Sequence, residues 1–184
     1  MRILNVTAQK PDSTGSGVYL AEMVRCEVAA GHSAAVICGI APDDPLPFPD
    51  GVSAYPVHFE TDELPFPVCG MSDEMPYRAT RYRDMDDRMV SCFRAAFAKR
   101  IKRAVEEFCP DVVVCHHLYL LTSLAQSMIS NIPVFAICHS TDLRQMRSHG
   151  LERDAIIEGI RSLTGIFALH GEQRSEIIDL YGCE

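Results

Sequence analysis

Short, β-branched apolar runs alternate along this chain with longer segments whose apolar residues recur every three to four positions. The first pattern reads as buried strands and the second as amphipathic helices. Strands are predicted at Ile3–Val6, Ala34–Cys38, Val52–Val57, Asp111–Cys115, Pro133–Cys138 and Gly165–Leu169. Helices are predicted at Val18–Ala30, Met89–Phe108, Leu118–Ser130, Leu151–Leu163 and Glu172–Leu180. In the first helix Leu20, Val24 and Val28 lie four apart, and Gly31 is a C-terminal stop. In the second, Phe93, Phe97, Ile101, Val105 and Phe108 form one stripe, and Pro110 ends it. Strand–helix alternation with short connections predicts an α/β fold: a Rossmann-like, doubly wound, mostly parallel sheet with helices on both faces.

The pattern breaks between residues 40 and 80, where eight of the eleven prolines fall. Proline removes a donor and breaks helices, so extended loops are expected there, serving as a binding loop or lid, or else mobile. Residues 58–88 receive no element. No repeat, low-complexity tract or linker divides the 184 residues, which fit one domain with a real core.

A net charge of −8 points away from nucleic acid. No apolar run approaches the roughly 20 residues of a membrane span, and the N-terminus lacks the h-region of a signal peptide. The eight scattered cysteines show no C-x-x-C spacing and read as reduced thiols of a cytoplasmic protein. Arg94, Lys99, Arg100, Lys102 and Arg103 give the 89–108 helix a basic surface, read as a solvated face, with peripheral contact to anionic lipid as the alternative.

The chemistry begins at Thr14-Gly15-Ser16-Gly17, between the first strand and the first helix. A glycine turn there lets backbone amides approach a ligand and aims a helix N-terminus at it, which suits phosphate. The plain alternative is a tight connection. It is not a dinucleotide fingerprint: Leu20 stands at the third glycine position, and the second strand ends at Gly39 with no carboxylate for a ribose. Nor is it a triphosphate loop, since no Lys-Ser or Lys-Thr follows.

Ligands of such sheets bind beyond the carboxyl ends of the strands. Four of the seven histidines stand just past predicted strand ends: His116 and His117, His139 (before Ser140, Thr141 and Asp142), and His170. Neutral imidazoles and hydroxyls around a helix N-terminus suit a polyhydroxylated substrate and its phosphate. No G-x-S-x-G elbow surrounds Ser140. A zinc site from Cys115, His116, His117, Cys138 and His139 is disfavoured, because neighbours on a strand point to opposite faces; no metal is expected.

Together these marks resemble the N-terminal domain of the GT-B type retaining glycosyltransferases of family 4, from Met1 almost to the last residue. They are Met1-Arg2-Ile3-Leu4-Asn5-Val6, the Gly15-Ser16-Gly17-Val18 turn, Pro110–Val114 before His116-His117, Pro133–Asp142, and the strand–helix pair Gly165–Leu180. The His139-Ser140-Thr141-Asp142 stretch is the most specific; the family often has glycine where Ser140 stands. The resemblance implies a sugar moved from a nucleotide-diphosphate donor to an acceptor hydroxyl with retention, with that donor as co-substrate and no other cofactor. It assigns Gly15, Ser16 and Gly17 to the donor phosphate, His139 to catalysis beside the transferred sugar, and His116, His117, Thr141 and Asp142 to the acceptor. It also implies a C-terminal donor-binding domain, carrying a Glu-x7-Glu pair, that is absent from this chain. Glu176 and Glu184 have that spacing in the wrong region, by coincidence. The chain is thus expected to be a fragment, inactive alone and prone to self-association through the uncovered patch. The alternatives are a stand-alone sugar- or phosphate-binding module, or half of a GT-B nucleotide-sugar epimerase.

Overall fold

The computed structural model describes residues 1–183, so Glu184 and its spacing to Glu176 lie outside the described residues. Six strands form one sheet: β1 (Arg2–Val6), β2 (Ser33–Ile40), β3 (Ser53–His58), β6 (Val112–His116), β7 (Val134–Ile137) and β8 (Gly165–Phe167). Every pairing is parallel and the order is β3-β2-β1-β6-β7-β8. Strand order therefore reverses between β1 and β6, the place where such sheets open a ligand crevice. A separate two-residue pair, β4 (Cys69–Gly70) and β5 (Thr80–Arg81), stands apart.

The helices are α1 (Gly15–Ala29), α2 (Asp87–Phe108), α3 (Leu120–Met128), α4 (Thr141–Ser148), α5 (Arg153–Arg161) and α6 (Gly171–Tyr181). The period-two pleat splits β2 between two cores. Ala34, Val36, Cys38 and Ile40 pack with Leu20 and Val24 of α1. Ala35 and Ile37 join the larger core with Phe93, Phe97 and Ile101 of α2, Leu121 and Leu124 of α3, and Ile156 and Ile160 of α5. Helices thus cover both faces. Asp86 caps α2, accepting from the Met89 amide at 2.8 Å, and Cys109 ends it in left-handed backbone before Pro110.

Three sequence expectations change. Helix α1 starts at Gly15, three residues early, because Thr14 is the cap: its Oγ1 accepts from the Gly17 amide at 3.1 Å. Thr141–Ser148, which receives no element from the sequence, is helix α4. Its amphipathic stripe escapes notice because two of its buried positions, Asp142 and Gln145, are polar. Residues 59–86, which receive no element from the sequence, are packed into the core and so exclude the mobile alternative. Phe59, Leu64, Phe66, Val68, Met71, Tyr82 and Met85 are all buried, and Phe59, Phe66 and Tyr82 make a ring cluster with Phe93, Phe97 and Tyr119 at centroid distances of 4.5–6.5 Å. Prolines keep this segment irregular, and aromatic burial still anchors it.

All eight cysteines are free, and burial pushes the thiols of Cys38 and Cys115 up to about 12. On α2, Arg94 pairs with Glu152, Lys99 and Arg100 with Glu63, Lys102 with Glu106, and Arg103 with Glu107. The basic surface expected there is largely paired with carboxylates, Glu106 and Glu107 on α2 itself and Glu63 and Glu152 from neighbouring segments. No helix among the described residues is long and apolar enough to cross a membrane.

Candidate functional site

The loop after β1 runs from Thr7 to Thr14 and then turns into α1. Gly15, Ser16 and Gly17 form the first helical turn, so the Gly15 and Ser16 amides precede the first intrahelical bond, Val18 N–H to Thr14 C=O. The two glycines differ. Gly15 faces open space. A Cβ on Gly17 would stand 2.7 Å from the Lys10 carbonyl oxygen and 2.8 Å from the Asp12 nitrogen. Gly17 is therefore glycine so that its own loop can pack against the helix. Its amide is also held by Thr14, which corrects its expected place on a donor phosphate.

Strands β6 and β7 end beside this turn. Ser16 Oγ donates to Gln9 Oε1 at 3.0 Å, and His117 Nε2 lies 3.1 Å from Ser16 Oγ and 3.2 Å from Gln9 Oε1. His116 Nδ1 is 3.2 Å from His139 Nε2, with the two rings stacked 13° from parallel. Tyr19, on the second turn of α1, meets both of these rings edge-on. Chain segments more than 100 residues apart therefore converge at one rim, as the strand-end pattern predicts.

Within that rim the side chains divide. His116 and His117 are 3% and 4% exposed, so neither faces an acceptor as expected. Burial, and then the neighbouring imidazoles, hold both well below the usual histidine range. His139 is half-buried and lines the cleft; burial lowers its pKa and Asp142 opposes that shift. Asp142 is also corrected as an acceptor ligand. It is fully buried, and Oδ2 accepts from the amides of Leu118 (2.8 Å) and His139 (3.3 Å). Its Oδ1 accepts from the Leu143 amide at 3.2 Å and from Cys138 Sγ at 3.4 Å. Asp142 joins the turn after β6 to the turn after β7, and Thr141 stays at the cleft wall.

Two residues of these turns, His117 (φ 73°) and Ser140 (φ 68°), hold left-handed backbone that favours glycine. The His117 amide donates to the Ile137 carbonyl at 3.0 Å, and its own carbonyl accepts from Thr122 Oγ1. Ser140 Oγ accepts from Gln173 Nε2 at 2.7 Å, while Gln173 Oε1 accepts from the Leu169 amide at 2.7 Å. His170 caps α6 through Nδ1, which accepts from the Gln173 amide at 3.2 Å.

The resulting cleft of about 520 Å³ is walled by Gly15, Ser16, Tyr19, Met71, Glu74, His139, Thr141 and Leu169, among others, with no lysine or arginine in its lining. Tyr19, Met71, Glu74 and Leu169 were not foreseen. Tyr19 and Leu169 are large hydrophobics left 43% and 53% exposed, a signal only a structure gives. Among the described residues no three His, Cys, Asp or Glu side chains are grouped to hold a metal ion.

The sequence model of the family described as Glycosyltransferase Family 4 matches residues 13–184. No curated protein sequence matches the chain. Among solved structures, a sucrose-phosphate synthase from Thermosynechococcus elongatus aligns over 97% of this chain with a TM-score of 0.65 at 10% identity. The apo form of the lipopolysaccharide outer core galactosyltransferase WaaB aligns over 100% of it with a TM-score of 0.57 at 11% identity. Those likenesses bear on the fold alone. The chain spans 44% and 43% of those two proteins' lengths.

Proposed function

We propose, starting from the fact that this chain belongs to glycosyltransferase family 4, that it is the N-terminal, acceptor-side half of an enzyme moving a sugar from a nucleotide-diphosphate donor to an acceptor hydroxyl with retention. The observation that carries this reading is the single cleft where the α1 N-terminus, His139 and Thr141 meet at the strand-order reversal. The Gly15 and Ser16 amides are oriented for a phosphate oxygen of the donor. The half-exposed imidazole of His139 is placed to hydrogen-bond the sugar or the acceptor hydroxyl. His116, His117 and Asp142 keep that imidazole in place.

The cleft supplies amides and a neutral imidazole, but no fixed cation, against a leaving diphosphate. Stabilising that charge is the main electrostatic task of the transfer. A second, donor-binding domain outside this chain is the proposed source of the missing positive charge, and the chain alone is inactive. Contact with a membrane surface is not part of the proposal, since most basic side chains of α2 are already paired with carboxylates.

The test mixes this chain with a separately supplied C-terminal half, a panel of nucleotide sugars and hydroxyl acceptors, and follows sugar transfer and anomeric configuration. Transfer with retention that needs both halves is expected. Turnover by this chain alone, or inversion, would overturn the reading. Binding of a sugar without any transfer by the intact enzyme would favour a binding module.

A further inference from the structure

Behind the cleft lies a cavity of about 10 Å³, walled in part by His116, His117, Tyr82 and Tyr119. Three of its lining residues each have one buried polar atom with no hydrogen-bond partner among the described residues: His116 Nε2, His117 Nδ1 and Tyr119 Oη. Unpaired buried polar atoms are costly, and a polar cavity of this size fits one water with two to four partners. Directions in the surrounding network are partly fixed. Gln9 Oε1 can only accept, and it lies 3.2 Å from His117 Nε2. His117 then carries its hydrogen on Nε2, and its Nδ1 is a bare acceptor. Burial keeps His116 and His117 neutral, so each ring carries only one hydrogen.

We propose that one water occupies this cavity, bridging His116 Nε2, His117 Nδ1 and Tyr119 Oη, and that through His116 it fixes His139 with its hydrogen on Nε2 and its Nδ1 lone pair at the cleft. The His139 Nε2–H donates to His116 Nδ1 across the 3.2 Å contact. The His116 Nε2–H donates to the water, which donates in turn to His117 Nδ1 and exchanges a hydrogen bond with the Tyr119 hydroxyl. His139 Nδ1 has no protein partner and is not sealed from solvent. Its lone pair accepts a hydrogen bond from an incoming hydroxyl with no change of tautomer. His116 and Tyr119 are positioning residues, acting on the reaction through His139. This assignment rests on the role given to His139 under Proposed function, but it can be tested on this chain by itself.

The test is an imidazole ¹⁵N–¹H correlation spectrum of the chain near neutral pH, with water-to-ring cross-relaxation recorded on the same sample. His139 and His117 are each expected as a single tautomer with the hydrogen on Nε2, and the His116 ring is expected to show a cross-peak from a long-lived water. His116→Phe keeps the ring and removes both nitrogens, so His139 should average between tautomers. His116→Asn returns an acceptor near the Nδ1 position and should restore the single tautomer. Wild-type His139 carrying its hydrogen on Nδ1, or averaging, overturns the proposal, as does the lack of a water cross-peak at His116 or a His116→Phe spectrum with His139 unchanged. Should His116→Phe fail to fold, the wild-type spectrum still decides. Full transfer by an intact enzyme carrying His139→Ala would remove His139 from the reaction and leave this tautomer result standing, so the two failures are distinct.

Discussion

The turn leaving β6 and the turn leaving β7 follow one plan: a histidine at the strand end or two residues past it, then a residue in left-handed backbone, then a helix. In the first, His116 and His117 both turn inward and are almost fully buried. In the second, His139 remains half-exposed at the cleft and Ser140 reaches sideways to Gln173. Position in the sheet accounts for the difference. β6 lies between β1 and β7, so its turn is roofed by Gln9 of the β1 loop and Ser16 at the start of α1, whereas β7 borders only the short edge strand β8 on its far side. The same backbone device thus serves as support at one strand and as presentation at the next, with the Asp142 carboxylate joining the two.

The hardest test of that comparison is Asp142→Ala, which strands the buried amides of Leu118, His139 and Leu143. It is expected to cost about 3–5 kcal/mol, read as a fall in the urea midpoint. A loss of only a few tenths would mean that the two turns stand independently.

A fall in pH tests the supporting turn by itself. His116 and His117 have depressed pKa values in the folded chain. The unfolded chain therefore binds protons that the native state refuses, and stability rises with pH in that window. The contribution is complete above about pH 6.5 and is lost as pH falls below it, by up to about 1.4 kcal/mol per pH unit for each ring. Urea midpoints taken at successive pH values check the slope, and a flat profile would contradict the buried, neutral pair.

Gly17→Ala strikes the roof over that turn. The added Cβ meets backbone at 2.7 Å, so the Lys10–Asp12 loop must move, at about 1–3 kcal/mol in a thermal melt. Gly15→Ala, facing open space, should be at least as stable as the parent. Ser140→Gly probes the presenting turn most gently. Relief of the left-handed serine and loss of the Gln173 hydrogen bond nearly cancel, leaving a change within about 1 kcal/mol.

The long strands and α2 were legible because burial on both faces of a parallel sheet leaves unbroken runs such as Ala34–Cys38, and because α2 repeats its stripe over many turns. The convergence of Gly15, Ser16 and His139 followed from topology alone. Individual roles did not. Asp142 resembles a ligand-facing acid in a row of polar residues, yet its partners are backbone amides that only the folded turns bring together. Gly17 resembles a phosphate glycine, but the Lys10 carbonyl comes against it only once the loop folds back on the helix. In residues 59–86 the buried Phe59, Phe66 and Tyr82 stand too far apart along the chain for either period to show.

Strand β1 pairs on one edge with β2 and on the other with β6, which the chain reaches only after the whole of α2. A nascent chain can close the β1–α1–β2 unit early, while the other edge of Ile3–Val6 waits for residues 112–116. During that interval an apolar strand edge lies open to strands of other chains, the condition under which intermediates aggregate. Slow synthesis between α1 and β6 would lengthen the exposure, so soluble yield should respond to translation speed through that stretch more than through any later one.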